Sequence, residues 1–459
     1  MTNELSNSPH ARDISYHLHP QTDLSRHEQI GPHIIERGDG IYVFDDEGKS
    51  YIEGLSGLWC ASLGFSEERL VQAANRQLKT LPFYHGFAHK ASNPVIDLAE
   101  RLINIAPAPL TKAFFTNSGS EANDTQVKLV WYYNNILERP DKKKIISRHG
   151  AYHGITVASG SLTGLPYAHK YFDLPIPNVL YVDPPHHYHY AQDGETETEF
   201  ASRLANDLEQ LILDEDPETV AAFIAEPVMG AGGVIPPPAT YFEKVQMILK
   251  KYDVLFIVDE VICGFGRTGN MFGSETYNLT PDMMTVAKAL SAASQPIGAV
   301  LINDDIYQVL LKGSEKVGTF GTGFTYSGHP VPAAVALETL KIYEERDIAR
   351  QVAEISPYFL ARLHQFASHP LVGETRGVGL IGAIELVQDK LSHTNFDPEL
   401  KVGPKVMGFA VKHGLLIRAL VNDTLAFCPP LIINEDQIDD MFNRFARALD
   451  DAESTINSL

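Results

Sequence analysis

The chain has 459 residues with 58 acidic and 37 basic side chains, a formal net charge of −21. This excess argues against a nucleic-acid or anionic-membrane partner, because a basic patch would have to overcome the field of the whole molecule. With 44% hydrophobic and 21% charged residues, the composition is that of a folded globular protein and excludes global disorder. At about 150 residues per domain the length suggests roughly three structural units. Three cysteines, Cys60, Cys263 and Cys428, contain no CxxC, so neither a disulfide scaffold nor a cysteine-based zinc site is expected. The opening MTNELSNSPHARD has no apolar segment, and the longest uncharged stretch, 289–303, is broken by Gln295, Pro296 and Gly298. No membrane span and a reducing, cytoplasmic location are therefore expected.

Residues 1–65 are rich in Gly and Pro, with short strands such as IYVFDD, and read as an N-terminal arm joining a small domain. Helical spacing follows in EERLVQAANRQL (Leu70, Val71, Ala74, Leu78) and VIDLAERLINI (Val95, Leu98, Ala99, Leu102, Ile105). Apolar runs then alternate with helical segments: KAFFT, KKIIS, VAAFIA, VLFIV and MMTVA. Such runs predict buried strands of a largely parallel sheet, an α/β layout spanning 66–335. Residues 336–459 read as a smaller α+β domain, with a helix in VALETLKIYEE and strands in GLIGAIEL and around LLIRAL.

The residues that follow the runs carry the chemistry. KAFFT leads into Asn117-Ser118-Gly119-Ser120-Glu121, and KKIIS leads into Arg148-His149-Gly150-Ala151-Tyr152-His153-Gly154. Glu226-Pro227, Asp259-Glu260 and Lys288 follow the other three. Ligands of open α/β sheets bind beyond the carboxyl ends of the strands. Ser118, Gly119 and Ser120 at a helix start suit a phosphate, though they also read as an ordinary N-cap. Asp259 ends an apolar strand, where a carboxylate is costly unless a cation meets it. Lys288 closes another apolar run, where burial lowers a lysine's pKa and makes it a Schiff-base nucleophile. Phosphate cradle, acid, stacking aromatic and desolvated lysine together describe a pyridoxal-phosphate site.

Two other motifs point elsewhere. Gly264-Phe265-Gly266-Arg267-Thr268-Gly269 matches G-x-G-x-x-G, the mark of a nicotinamide-dependent dehydrogenase, but DEVIC separates it from its strand. The run Pro184-Pro185-His186-His187-Tyr188-His189-Tyr190 reads as a loop rather than a metal site, so no metal is expected.

The motifs GLWCASLGF, FFTNSGSEANDT, SRHGAYHG, AFIAEPVMGAGGVIPPP, DEVICGFGRTGNMFG, PDMMTVAK, GFTYSGHP and ETRGVGLIGAIEL run through nearly the whole chain. On them the sequence resembles the class III pyridoxal-phosphate-dependent aminotransferases of fold type I. Within that class it is similar to the amine and ω-amino-acid:pyruvate transaminases, through LHP near the start and GLWC. The resemblance implies a large, mostly parallel sheet domain, a smaller α+β domain and pyridoxal 5′-phosphate as cofactor. It implies Lys288 as Schiff-base lysine, Asp259 as partner of the pyridine nitrogen and Glu226 as its supporting acid. Ser118, Gly119 and Ser120 match the phosphate cradle, Tyr152 the stacking ring, and Thr325 a phosphate ligand for the neighbouring subunit's site. Leu58, Trp59, Tyr152 and Arg418 match substrate-binding positions, Arg418 being a mobile clamp for a carboxylate. The implied reaction moves an amino group from a primary amine or ω-amino acid to a keto acid, with pyruvate giving alanine, in a homodimer with shared active sites that can pair into a tetramer. A decarboxylase or racemase on the same scaffold is the alternative. Many relatives follow the lysine with Gly and a Ser-Ser-Gly-Tyr loop, where this chain has Ala289-Leu290-Ser291-Ala292-Ala293-Ser294-Gln295-Pro296.

Overall fold

The computed structural model describes residues 7–456. An N-terminal sheet is formed by β1 (Ile35–Asp39), β2 (Tyr42–Asp45) and β3 (Ser50–Glu53). The central sheet takes β4 (Leu110–Thr116), β5 (Lys144–Arg148), β6 (Val179–Val182), β7 (Val220–Ala225), β8 (Leu255–Asp259), β9 (Met283–Val286) and β10 (Gly298–Asn303). A C-terminal unit adds β11 (Val372–Val378), β12 (Ile381–Leu386), β13 (Leu415–Leu416), β14 (Arg418–Ala419) and β15 (Thr424–Phe427).

The central sheet has the order β4-β10-β9-β8-β7-β5-β6. Strands β5 to β9 pair in parallel, while β10 runs antiparallel to both β4 and β9. Its strands read as unbroken apolar runs because both faces are covered by helices. Successive residues point to opposite faces: Phe223, Phe256 and Val258 pack with Phe200, Leu208, Val245 and Leu249 of helices Glu197–Asp214 and Tyr241–Lys251. Ala222, Ile224 and Ile257 pack on the other face against Ala122, Val127 and Val130 of helix Gly119–Ile136. Two strands had no distinct sequence signal. β6 is a four-residue edge strand, and β10 lies inside the uncharged stretch 289–303.

The helix read from EERLVQAANRQL forms over Glu68–Thr80, but its buried residues are Leu70 and Ala73, while Val71 and Leu78 are exposed. It packs on one side only, against helix Pro330–Glu345. That helix also packs on Asn93–Ile105, so position 335, expected as a domain boundary, falls inside a continuous element. The segment LLIRAL divides. Leu415–Leu416 joins the N-terminal sheet in parallel with β3, and Arg418–Ala419 joins the antiparallel sheet β11-β12-β15-β14. The N-terminal arm and the C-terminal unit are thereby stitched together.

The glycines of GFGRTG open no helix. Gly266 and Gly269 let helix Ile348–His364 approach, since a Cβ at Gly269 would stand 3.3 Å from Ala353. Arg267 between them donates through Nη1 to the carbonyls of Leu380 (2.9 Å) and Pro429 (2.6 Å), fastening the C-terminal unit to the central one. The dehydrogenase reading of this motif therefore loses its structural basis. No helix among the described residues is long and apolar enough to cross a membrane.

Phe223→Ala empties a fully buried position between sheet and helices and is expected to cost about 3–5 kcal/mol. Leu213→Ala, at a half-exposed position, is expected to stay within about 0.5 kcal/mol. Chemical-denaturation midpoints of the two variants check this contrast.

Candidate active site

At the carboxyl ends of the central strands lies a hollow of about 440 Å³. Its wall includes Ser118, Gly119, Ser120, Tyr152, Glu226, Asp259 and Lys288, seven residues that the sequence reading had placed in one site. The parallel strands bring them together. Asp259 is the last residue of β8 and pairs in register with Thr285 of β9, three residues before Lys288.

Ser118 is the N-cap of helix Gly119–Ile136, its Oγ accepting from the Glu121 N–H at 3.1 Å. Glu121 in turn accepts from the Asn117 N–H at 2.7 Å, a Ser-x-x-Glu start signal. As at any helix start, the N–H groups of Gly119 and Ser120 have no intrahelical acceptor, so positive potential faces the hollow. A Cβ at Gly119 would stand 3.1 Å from Val261 Cγ2, so only glycine leaves this wall open.

Asp259 is buried but fully partnered. His153 Nδ1 donates to its Oδ2 at 2.8 Å, Asn123 Nδ2 to the same oxygen at 2.8 Å, and the Val261 N–H to Oδ1 at 3.1 Å. Behind Asn123 a relay continues. Its Oδ1 accepts from Thr285 Oγ1 at 2.6 Å, which accepts from Gln126 Nε2 at 2.5 Å. The carboxylate is thus fixed in position, facing the hollow. Glu226 is also buried: its Oε1 accepts from the Tyr152 N–H at 3.1 Å and its Oε2 from the Gly230 N–H at 2.7 Å. Burial raises its pKa. Its evident work is to hold the backbone that carries Tyr152.

Lys288 is partly exposed at the wall of the hollow, and burial lowers its pKa, with Cys60, Asp259 and Glu226 opposing the shift. Desolvation therefore keeps a larger share of the amine unprotonated and nucleophilic. Lys288, Ala292 and Ala293 all adopt left-handed backbone (φ 49°, 48° and 65°). This is the loop whose sequence departs from Ser-Ser-Gly-Tyr, and alanine fills conformations that glycine adopts at lower cost.

Four residues expected at the site stand outside this wall. The chain turns sharply at Gly57 (φ 69°) and Trp59 (φ 64°), which leaves Leu58 half-exposed and sends Trp59 into a cluster with Leu55, Val228, Ile262 and Cys428. The neighbouring Cys60 lines the hollow instead. Thr325 is exposed in the segment before helix Pro330–Glu345. Arg418, on β14, is half-buried and makes no side-chain hydrogen bond or ion pair among the described residues. Its charge nevertheless reaches Tyr152, whose phenol pKa burial raises and Arg418 lowers.

His153, Asn123, Cys60 and Gln295 were missed as site residues, although all but Asn123 line the hollow and Asn123 holds Asp259. A signal for Asn123 existed: Asn123 and Gln126 are polar at i, i+3 on the buried side of a helix that also buries Ala122, Val127, Leu129 and Val130.

The donor set matches one group. A helix N-terminus and hydroxyls suit a phosphate, a fixed carboxylate suits a protonated ring nitrogen, an aromatic suits a ring face, and a desolvated amine suits an aldehyde. This is a pyridoxal-phosphate site on a fold type I scaffold. The family model "Aminotransferase class-III" matches residues 24–449. The chain is 56% identical over 431 residues to gamma aminobutyrate transaminase 3, chloroplastic, of Solanum lycopersicum, covering 94% of this chain and 83% of that one. To vanillin aminotransferase of Capsicum chinense it is 54% identical over 429 residues, 93% of each chain. Its structure matches the omega transaminase from Pseudomonas jessenii in complex with PMP, with a TM-score of 0.97, 55% identity and coverage of 98% and 99%. The chain belongs to the class III aminotransferases, enzymes that use pyridoxal 5′-phosphate to transfer amino groups.

Glu53, on β3 beside the Trp59 turn, accepts from the Leu55 N–H at 3.0 Å, and burial pushes its pKa up to about 7. The native state then binds more protons than the unfolded state between the two pKa values, so this group's contribution to stability is lost as pH rises toward 7. Denaturation midpoints of Glu53→Gln between about pH 5 and pH 7.5 are expected to fall less steeply with pH than those of the unaltered protein.

Proposed function

We propose that the chain moves an amino group from a primary amine or ω-amino acid to pyruvate, forming alanine, with Lys288 as the Schiff-base residue. The observation that carries this reading is the enclosure of Lys288, Asp259 and the helix start at Ser118 in one hollow. The names of its relatives, gamma aminobutyrate and vanillin transaminases, support a donor whose amino group is terminal. The cofactor, when bound, supplies an electron sink for the carbon that loses its proton. Ser118, Ser120 and the N–H groups of the helix start would hold its phosphate, and Tyr152 would cover its ring. Asp259, fixed by His153 and Asn123, would keep the ring nitrogen protonated. The free Lys288 amine would serve as the base for the proton on the carbon that bears the donor's amino group.

The site must accept an apolar donor and an anionic acceptor in turn. A permanently enclosed arginine would be an uncompensated charge in the first case. Among the described residues Arg418 has no hydrogen-bond or ion-pair partner to break, so it is free to meet the acceptor's carboxylate and withdraw from an uncharged amine. Its planar fork suits bidentate carboxylate binding. The exposure of Thr325, together with Phe83, Tyr84, Phe87 and Tyr326, supports a homodimer in which Thr325 completes the partner's phosphate site. We place the enzyme in the cytoplasm, consistent with three free cysteines of which Cys263 and Cys428 are buried.

Borohydride reduction followed by peptide mapping is expected to leave a pyridoxyl mass on the Lys288 peptide; its absence would reject the assignment. Arg418→Ala is expected to slow the pyruvate half-reaction by about 10-fold or more, the loss of about 1.4 kcal/mol. The half-reaction of an uncharged arylalkylamine should change far less. Single-turnover rates separate the two, and equal losses would remove Arg418 from the clamp role.

A further inference from the structure

The N-terminal segment folds as two short helices, Pro9–Tyr16 and Leu24–Ile30. The first buries no residue, and the only buried residue of the second is a histidine, His27. So small a unit lacks a hydrophobic core to hold it, and units of this kind are commonly fastened by a metal or a disulfide. Its centre is a polar cluster instead. Asp13 Oδ2 accepts from His19 Nε2 at 2.7 Å and from His27 Nε2 at 3.0 Å, while its Oδ1 accepts from His17 Nδ1 at 3.1 Å. The rings lie close but tilted, with centroids of His17 and His19 4.1 Å apart at 43° and those of His19 and His27 4.2 Å apart at 44°. The ligand atoms of Asp13, His17 and His19 lie within 4.8 Å of one another, while His27 stands outside that group and joins it through Asp13 Oδ2.

We propose that Asp13, His17, His19 and His27 form a binding site for a divalent transition-metal ion, best matched by zinc, which staples the two N-terminal helices together. Three imidazoles and one carboxylate are a complete tetrahedral donor set for zinc, with bonds of about 2.0–2.2 Å. Ligand atoms around such an ion stand slightly farther apart than the 2.7–3.1 Å between Asp13 and the histidines, so those contacts need to open by only a few tenths of an ångström, while His27 has to draw closer to the other histidines to complete the set. Each imidazole turns its lone pair to the ion and carries its proton on the other ring nitrogen. No lysine or arginine pairs with Asp13 among the described residues; its ion-pair partners are the three histidines.

A second histidine cluster makes a useful contrast. His186 and His189 also converge on a carboxylate, Glu385, with Glu374 beside it. The HHYHY run expected as a loop forms the single helical turn His187–Tyr190 that presents them. Here the cation is already supplied: Arg376 Nη1 lies 2.6 Å from Glu385 and 2.5 Å from Glu374. A metal would have to compete with a buried guanidinium, so this cluster is a latch between the central and C-terminal units.

The test uses the untagged holoenzyme, stripped with a chelator, reloaded with zinc, dialysed and analysed for metal. A single zinc per chain is expected. The double variant D13N/H19Q should bind zinc at least about 10- to 100-fold more weakly, and H186Q/H189Q should retain it. Zinc, but not magnesium, should slow proteolysis between the two N-terminal helices. The cobalt-substituted protein should show a tetrahedral ligand-field spectrum. Failure of the unaltered protein to retain zinc overturns the proposal, as does equal retention by D13N/H19Q or loss confined to H186Q/H189Q.

Discussion

A carboxylate and an amine must be kept dry at the open end of a parallel sheet, and much of the molecule is arranged around that constraint. Asp259 is tolerable in its buried position because three donors converge on it, one each from helix Gly119–Ile136, the Tyr152 loop and its own strand end. Breaking any of these leaves a buried charge short of a partner, which costs more than the bond itself contributes. Lys288 stands just past the end of β9, the next strand both in sequence and in space, where burial weakens its hold on a proton. The sheet supplies rigid spacing, and the helix start supplies the complementary field.

Around this centre the chain spends conformational strain. Ser56, Gly57 and Trp59 take positive φ before the hollow, and Lys288, Ala292 and Ala293 take positive φ beyond it. Non-glycine residues persist in such backbone only where the surroundings over-determine them. Trp59 is held by its apolar cluster, while Ser291 at the second turn donates to the Gln295 carbonyl at 2.5 Å. Both turns place residues of the hollow wall, Cys60 on one side and Ala293 and Gln295 on the other.

Charge follows the same logic at larger scale. The excess of acids lies outside the site, while inside it Lys288 and the helix start face the hollow and Arg418 stands nearby. Buried acids elsewhere are disarmed individually: Glu260 by the N–H groups of Gly273 and Ser274, Glu385 by Arg376 and His189. The net charge of −21 describes the exterior and carries no information about the substrate.

The strands β4, β5, β7, β8 and β9 and the seven expected residues of the hollow were legible because each strand is a local apolar run whose end is a local motif. Lys288, Asp259 and Ser118 could be read as a set, since in a parallel sheet the strand ends meet on one edge whatever the strand order. The strand order itself, and the antiparallel insertion of β10, were not legible, because pairing depends on contacts far apart in sequence. The same reason hid the Asn123–Thr285–Gln126 relay, the departure of Trp59 from the wall and the division of LLIRAL between two sheets. Side-chain chemistry and periodicity are properties of neighbouring residues and survive in sequence alone. Which buried polar group meets which partner, and whether a histidine 106 or 196 residues from a carboxylate closes on it, is decided only when the chain folds and desolvation forces every charge to find its complement.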